Sequence, residues 1–162
     1  DVIITTFRSA QILDAGIRTP LGDYFRNPVL PAALGYDPRL QFTHLEDALT
    51  VLVQAVRGDR PGTFNLAGDG VLLLSQAARR LGKPIIPLPP FGFATGARQV
   101  IRAVGSSISP DLHRLLMYGR ALDTSALRDI FGYEPTYTTE QVFEQYRRAI
   151  RPGILAPIGS RS

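Results

Sequence analysis

Phe42-Thr43-His44-Leu45-Glu46-Asp47-Ala48 is the stretch that decides how this chain folds. The apolar run Leu40 to His44 reads as a short strand. A helix follows over 45–57. There Leu45, Ala48, Leu49, Leu52, Val53 and Val56 recur at i, i+3, i+4, i+7, i+8 and i+11, one apolar stripe at a period of 3.6 residues. Gly58 ends it. A strand feeding straight into an amphipathic helix is the basic unit of an α/β fold.

The flanking sequence repeats the unit. Val2 to Phe7 is rich in Ile, Val, Thr and Phe and reads as a strand buried on both faces. Residues 9–18 read as a loop. Thr19-Pro20 supplies an N-cap and a proline at the first helical position, so a short helix runs to about Arg26. Leu30 to Leu34 is a short strand and Gly35-Tyr36-Asp37-Pro38 a turn. Thr63 to Ala67 is a strand, Gly68-Asp69-Gly70 a turn, and 74–81 a helix stopped by Gly82. Ile85 to Leu88 is extended, because Pro87 disfavours helix at the residue before it. Helices follow over 91–104 and from Ser109-Pro110. Asp123-Thr124-Ser125 caps a short helix ending at Gly132. Thr138-x-x-Gln141 is a capping box opening a last helix, with Val142, Phe143, Tyr146 and Ile150 inward. The tail after Pro152 is rich in Gly, Pro and Ser and reads as loose.

Composition narrows the function classes. The 162 residues are 44% hydrophobic and 20% charged, the balance of a globular domain. No apolar run reaches the roughly 20 residues of a membrane helix, and no targeting segment is visible. Without cysteine there is no disulfide or thiolate–metal site. This points to a cytoplasmic protein. Net charge is +4, carried by 17 Arg and the single lysine Lys83. The pairs Arg79-Arg80 and Arg147-Arg148 fall on solvated helix faces, and no basic stripe points to nucleic acid. The chain opens on Asp1 in what reads as mid-strand, the mark of a fragment of something longer.

Four stretches carry a family resemblance. Phe7-Arg8-Ser9-Ala10-Gln11-Ile12-Leu13-Asp14 stands where extended short-chain dehydrogenases have a strand ending in Arg-Pro-x-Asn-x-Tyr-Gly-Pro. Phe42-Thr43-His44-Leu45-Glu46-Asp47 resembles their Phe-Val-His-Val-Asp-Asp. Phe64-Asn65-Leu66-Ala67-Gly68-Asp69-Gly70 resembles Tyr-Asn-Leu-Gly-x-Gly and leads to Leu81-Gly82-Lys83-Pro84. Asp123-Thr124-Ser125 through Gly132-Tyr133-Glu134-Pro135 resembles Asp-Thr-Ser-Lys-Ala-x-x-x-Leu-Gly-Tyr-x-Pro. In that order they resemble the NAD-dependent epimerase/dehydratase family, sugar-nucleotide epimerase-like and of actinobacterial type, in its carboxyl-terminal part only. The resemblance implies an α/β fold: the substrate-binding part of an extended short-chain dehydrogenase, residues 1–151, with one or two strands left over from the Rossmann sheet and a tail at 152–162.

It also implies what lies elsewhere. The family's first half carries a Gly-x-x-Gly-x-x-Gly turn for the dinucleotide and a Tyr-x-x-x-Lys pair for proton transfer. Neither occurs in this sequence. Gly92-x-x-x-Gly96 has neither the spacing nor a preceding strand for a phosphate loop. No catalytic residue and no metal site is therefore expected in this chain. NAD would be held mainly by a missing amino-terminal half, with Arg8 and Ser9 touching it.

Three residues are substrate candidates under the resemblance. Gln11 stands at the family's Asn, with the same amide chemistry one methylene longer; the plain alternative is a loop after a strand. Arg39 is a phosphate candidate whose guanidinium fork suits a diphosphate, although the family's Arg aligns with Leu40; the alternative is a solvent-facing turn residue. Arg120 precedes Asp123, near where relatives carry a second phosphate-binding Arg. His44, Asp47, Asn65 and Asp123 read as structural, with His44 and Asp47 tying strand to helix. Asp69 sits in a Gly-flanked turn that favours Asp without any function. The expected function is the substrate-binding portion of an enzyme acting on a nucleotide-activated sugar, inactive alone, its partners being that sugar, the missing half and a second copy in a homo-oligomer. A non-catalytic binding or regulatory protein that kept the fold is the alternative, supported by the departures at Gln11, Leu13, Asp14 and Leu40.

Overall fold

The computed structural model describes residues 2–89, 91–103, 110–150, 153 and 155. The order is β1 (Thr5–Ser9), β2 (Gln11–Ile12), α1 (Pro20–Arg26), β3 (Leu30–Ala33), β4 (Arg39–Leu40), β5 (Phe42–Thr43), α2 (Leu45–Arg57), β6 (Gly62–Leu66), β7 (Leu72–Leu73), α3 (Leu74–Leu81), β8 (Ile85–Leu88), α4 (Phe93–Ala103), α5 (Pro110–Tyr118), a π turn (Leu127–Phe131) and α6 (Thr139–Ala149).

The strands pair two by two: β1 with β6, β2 with β5 and β3 with β8 in parallel, β4 with β7 antiparallel. Parallel partners need crossovers, and helices supply them: α2 lies between β1 and β6, and α3 between β3 and β8. The chain leaves β6 at Ala10, whose N–H donates to Leu66 O at 2.8 Å. β5 then wedges in: Gln11 pairs with Phe42, and Gly68 N–H donates to Phe42 O at 2.8 Å.

Capping sets the helix starts. Thr19 accepts from Gly22 N–H at 3.1 Å ahead of Pro20. Thr138 and Gln141 close a reciprocal box, at 3.2 Å and 2.9 Å, on α6. That helix buries Val142, Phe143 and Tyr146. They join Leu21, Tyr24, Phe25, Leu30, Phe42 and Leu116 in the larger core. A smaller core gathers Ala48, Val51, Phe64, Leu66, Leu127, Phe131 and Tyr133 between α2, the β1–β6 ladder and the π turn.

Four expectations shift. The first strand is Thr5–Ser9, not Val2 to Phe7; Val2 is 89% exposed, and β1 is an edge rather than a strand buried on both faces. The expected loop over 9–18 contains β2. The strand Leu40 to His44 breaks at Gln41, a buried amide that bonds away from the ladder. The apolar stripe of α2 does not all turn inward. Ala48 and Val51 do, whereas Leu49, Leu52, Val53 and Val56 are exposed. Ser109 lies outside the described residues, as does the tail apart from Gly153 and Leu155, whose N–H groups donate to Leu81 O and Gly82 O. No helix among the described residues is long and apolar enough to cross a membrane.

Candidate functional site

Two of the three substrate candidates are brought side by side. Arg39 begins β4, and Arg120 follows α5 by two residues; the Arg120 N–H donates to Arg39 O at 2.9 Å. Gly119 makes this approach. Its φ is +67°, and a Cβ there would stand 2.7 Å from Arg39 N and 2.8 Å from Arg39 O, so only glycine fits. Both arginines are exposed, and among the described residues neither pairs with a carboxylate. Two unpaired guanidinium forks on adjoining backbone can grip an anion with several oxygens.

Beneath them Gln41 fixes the floor. Its amide N–H donates to Gly68 O at 3.0 Å, and its carbonyl accepts from Leu122 N–H at 2.8 Å. One buried side chain thus locks the Arg120 segment to the turn after β6. Sequence reasoning passed over Gln41; the available signal was an amide flanked by two apolar strand residues, Leu40 and Phe42. Gly68 presses against α6: a Cβ would meet Tyr137 O at 2.5 Å and Thr139 N at 2.9 Å. Leu40, where the resemblance places an Arg, is 1% exposed and belongs to the larger core. One step along a strand reverses the face, so the guanidinium at residue 39 points out where residue 40 points in.

The third substrate candidate, Gln11, is half-buried on β2, in register with Phe42. Arg8 is exposed on β1. Ser9 already donates its hydroxyl locally, with Ala10 O at 2.8 Å and Thr43 Oγ1 at 3.0 Å. Arg8 and Ser9 thus offer a dinucleotide one free cation and no cradle of backbone N–H groups. Strand β8 does precede Gly92, contrary to the reading of that segment, but the spacing to Gly96 remains wrong for a phosphate loop. Among the described residues no three His, Asp or Glu side chains gather as metal ligands.

The remaining polar residues tie elements together. His44 caps α2: its Nδ1 accepts from Glu46 N–H at 3.2 Å, so the proton sits on Nε2, which donates to Gln145 Oε1 at 2.9 Å. Its ring stacks on Tyr137 with centroids 3.7 Å apart. Asp47 is buried and accepts from Tyr133 OH at 2.6 Å, Thr136 N–H at 2.9 Å and Tyr137 N–H at 3.3 Å. Burial, with Asp47 beside it, pushes the Tyr133 phenol up to about 12. Asn65 donates to Asp123 O at 2.8 Å. The Asp123 carboxyl lies below its usual range, chiefly through the Ser125 N–H, then the Ser125 hydroxyl and the Arg128 charge. Asp69 in its turn pairs with Arg128.

Comparison with known proteins places this geometry. No family model matches the sequence. An uncharacterized Mycobacterium tuberculosis protein, Rv0501, is 37% identical over 150 residues, 91% of this chain but 39% of its own length. A second, Rv2047c, is 31% identical over 147 residues, 89% of this chain and 16% of its own. The chain therefore spans well under half of the curated relatives it matches. Among solved structures, UDP-N-acetylglucosamine 4-epimerase from Bacillus cereus superposes with a TM-score of 0.57 at 14% identity, over 90% of this chain and 47% of that one. The Bordetella bronchiseptica enzyme WbmG in complex with NAD and UDP gives 0.58 at 14%, over 92% and 43%. The dTDP-glucose 4,6-dehydratase of Bacillus anthracis with NAD gives 0.56 at 16%, over 90% and 43%. The chain has a partial, Rossmann-like epimerase/dehydratase fold. The likeness at these identities is one of architecture.

Proposed function

We propose that this chain is the substrate-binding portion of an NAD-dependent epimerase, dehydratase or reductase acting on a nucleotide-activated sugar. The observation that carries the reading is the adjoining pair Arg39–Arg120, two exposed arginines whose main chains are joined by a hydrogen bond. A nucleotide sugar presents a diphosphate of matching charge. Gln11, with its amide at the end of β2, would address the sugar or a phosphate oxygen. The solved structure of WbmG with NAD and UDP is of a protein with the same fold, which supports this ligand class. The hydride chemistry would belong to NAD, held mainly by another part of a longer polypeptide; this chain would bind and orient the substrate and would turn over nothing alone. His44, Asp47, Asn65 and Asp123 would keep the site's elements in place.

Calorimetric titration of the chain with UDP tests this. Saturable binding is expected, about tenfold weaker in Arg39→Ala and in Arg120→Ala, the scale of one charge-assisted contact. Binding in both variants as strong as in the unsubstituted chain, or no saturable binding at all, would contradict it. A second reading, a binding or regulatory protein that keeps the fold without catalysis, draws on Leu13, sunk to 2% exposure where the family resemblance places a tyrosine.

A further inference from the structure

Asp37 is the one acidic residue in the turn from β3 to β4, and its carboxylate serves a helix that begins far along the chain. Helix α3 starts directly after β7, and the residue at its N-cap is Leu73, which has no side-chain oxygen to offer. The first N–H groups of a helix need acceptors from outside its own ladder. Leu73 N–H finds Gln76 Oε1 at 3.1 Å. Leu74 N–H donates to Pro38 O at 3.1 Å. Ser75 donates twice to Asp37, from its N–H at 2.9 Å and from its hydroxyl at 2.5 Å. The missing cap is thus supplied across the fold by a carboxylate, a group favoured at a helix start. Arg39 comes two residues after Asp37, in register with Leu73. A two-stranded ladder of two residues holds little by itself. The backbone of Arg39 is therefore fixed from two sides: by the Arg120 N–H on its carbonyl, and by the Asp37–Pro38 clamp just before it.

We infer that Asp37 is a positioning residue for the Arg39–Arg120 pair: its two hydrogen bonds to Ser75 fix the entry to β4 and so hold Arg39 beside Arg120. The inference rests on the proposed function and names what keeps its anion grip in place. Charge alone argues against a carboxylate here. Asp37 is exposed, and among the described residues it forms no ion pair with Arg39 or Arg120. Its charge repels the diphosphate that the pair would grip. A carboxylate that merely sat nearby would weaken binding, and removing it would strengthen binding. Removing a carboxylate that positions Arg39 has the opposite sign. Asparagine separates the two effects. It keeps an oxygen for the Ser75 N–H, and its NH2 donates to the Ser75 hydroxyl oxygen, so both contacts persist without the charge.

UDP titration and amide hydrogen exchange on the unsubstituted chain, Asp37→Ala and Asp37→Asn test this. Asp37→Ala should bind UDP about tenfold more weakly despite losing a repelling charge, and Asp37→Asn at least as tightly as the unsubstituted chain. Without ligand, the Arg120 amide, which donates to Arg39 O, should exchange about tenfold faster in Asp37→Ala and at its original rate in Asp37→Asn. The Gly68 amide, which donates to Phe42 O, should keep its rate in both variants, as it would not under a general loss of stability. Three results would overturn the inference: UDP binding by Asp37→Ala as tight as in the unsubstituted chain or tighter, equal losses in the two variants, or an Arg120 amide that stays still or moves only together with Gly68. If no form binds UDP while the Arg120 amide responds as stated, the positioning stands and the proposed function falls.

Discussion

Lys83, the one lysine, shows how a single residue sets a pH response. Its ammonium is buried and donates to Phe25 O at the end of α1. Burial pulls it down from 10.5 to about 8. The charged form is the costly one in the fold. Below pH 8 the group is charged in both states and the cost is full; it disappears as pH rises from about 8 to 10.5. Buried phenols act the other way. Tyr133 and Tyr146 are raised to about 12 and Tyr24 further, so above pH 10 the unfolded chain ionises first and stability is lost. Urea unfolding from pH 7 to 11 should therefore show stability rising by about 1–2 kcal/mol to a maximum near pH 10. Lys83→Met should flatten the rise; an unchanged rise in that variant would refute its origin in Lys83. Asp47 is a second test at this scale. Asp47→Ala strands one phenol and two backbone N–H groups and should cost about 3 kcal/mol by the same measurement.

Among the elements, those started by local chemistry and those made by distant pairing differ in how much the sequence reveals. The capping boxes and proline starts are local chemistry, so α1, α3 and α6 begin where Thr19-Pro20, the Leu74 apolar run and Thr138-x-x-Gln141 put them. Thr138→Ala should cost about 1 kcal/mol, visible as a lower urea midpoint with no change in slope. Non-local pairing leaves less trace. Two-residue strands such as β2 and β5 form because a partner from a distant part of the chain is present, and nothing in Gln11-Ile12 itself demands it. The break at Gln41 has the same origin, since its amide is claimed by Gly68 and Leu122 rather than by the ladder. The stripe of α2 was legible as apolar, but periodicity gives the existence of an apolar face and not what covers it.

Taken whole, the molecule is two cores joined along β5 and α2, with a cationic pair at one rim and an apolar flank left open. The architecture was readable from four short stretches in order, because their spacing is set by strand, crossover and turn. The candidate site was readable only in part. Arg39 and Arg120 are 81 residues apart, a separation only the fold closes, through Gly119. Gly119→Ala should therefore weaken UDP binding about tenfold without touching a charged group, since the Cβ would push residues 39 and 120 apart. The most direct test of the central claim is nitrogen-15 NMR of the arginine side chains during a UDP titration. The account predicts that the Nε–Hε signals of Arg39 and Arg120 move together and saturate at one ligand per chain, while exposed arginines such as Arg79 stay still. Uniform small shifts across all the arginines, or saturable shifts that omit these two, would contradict it.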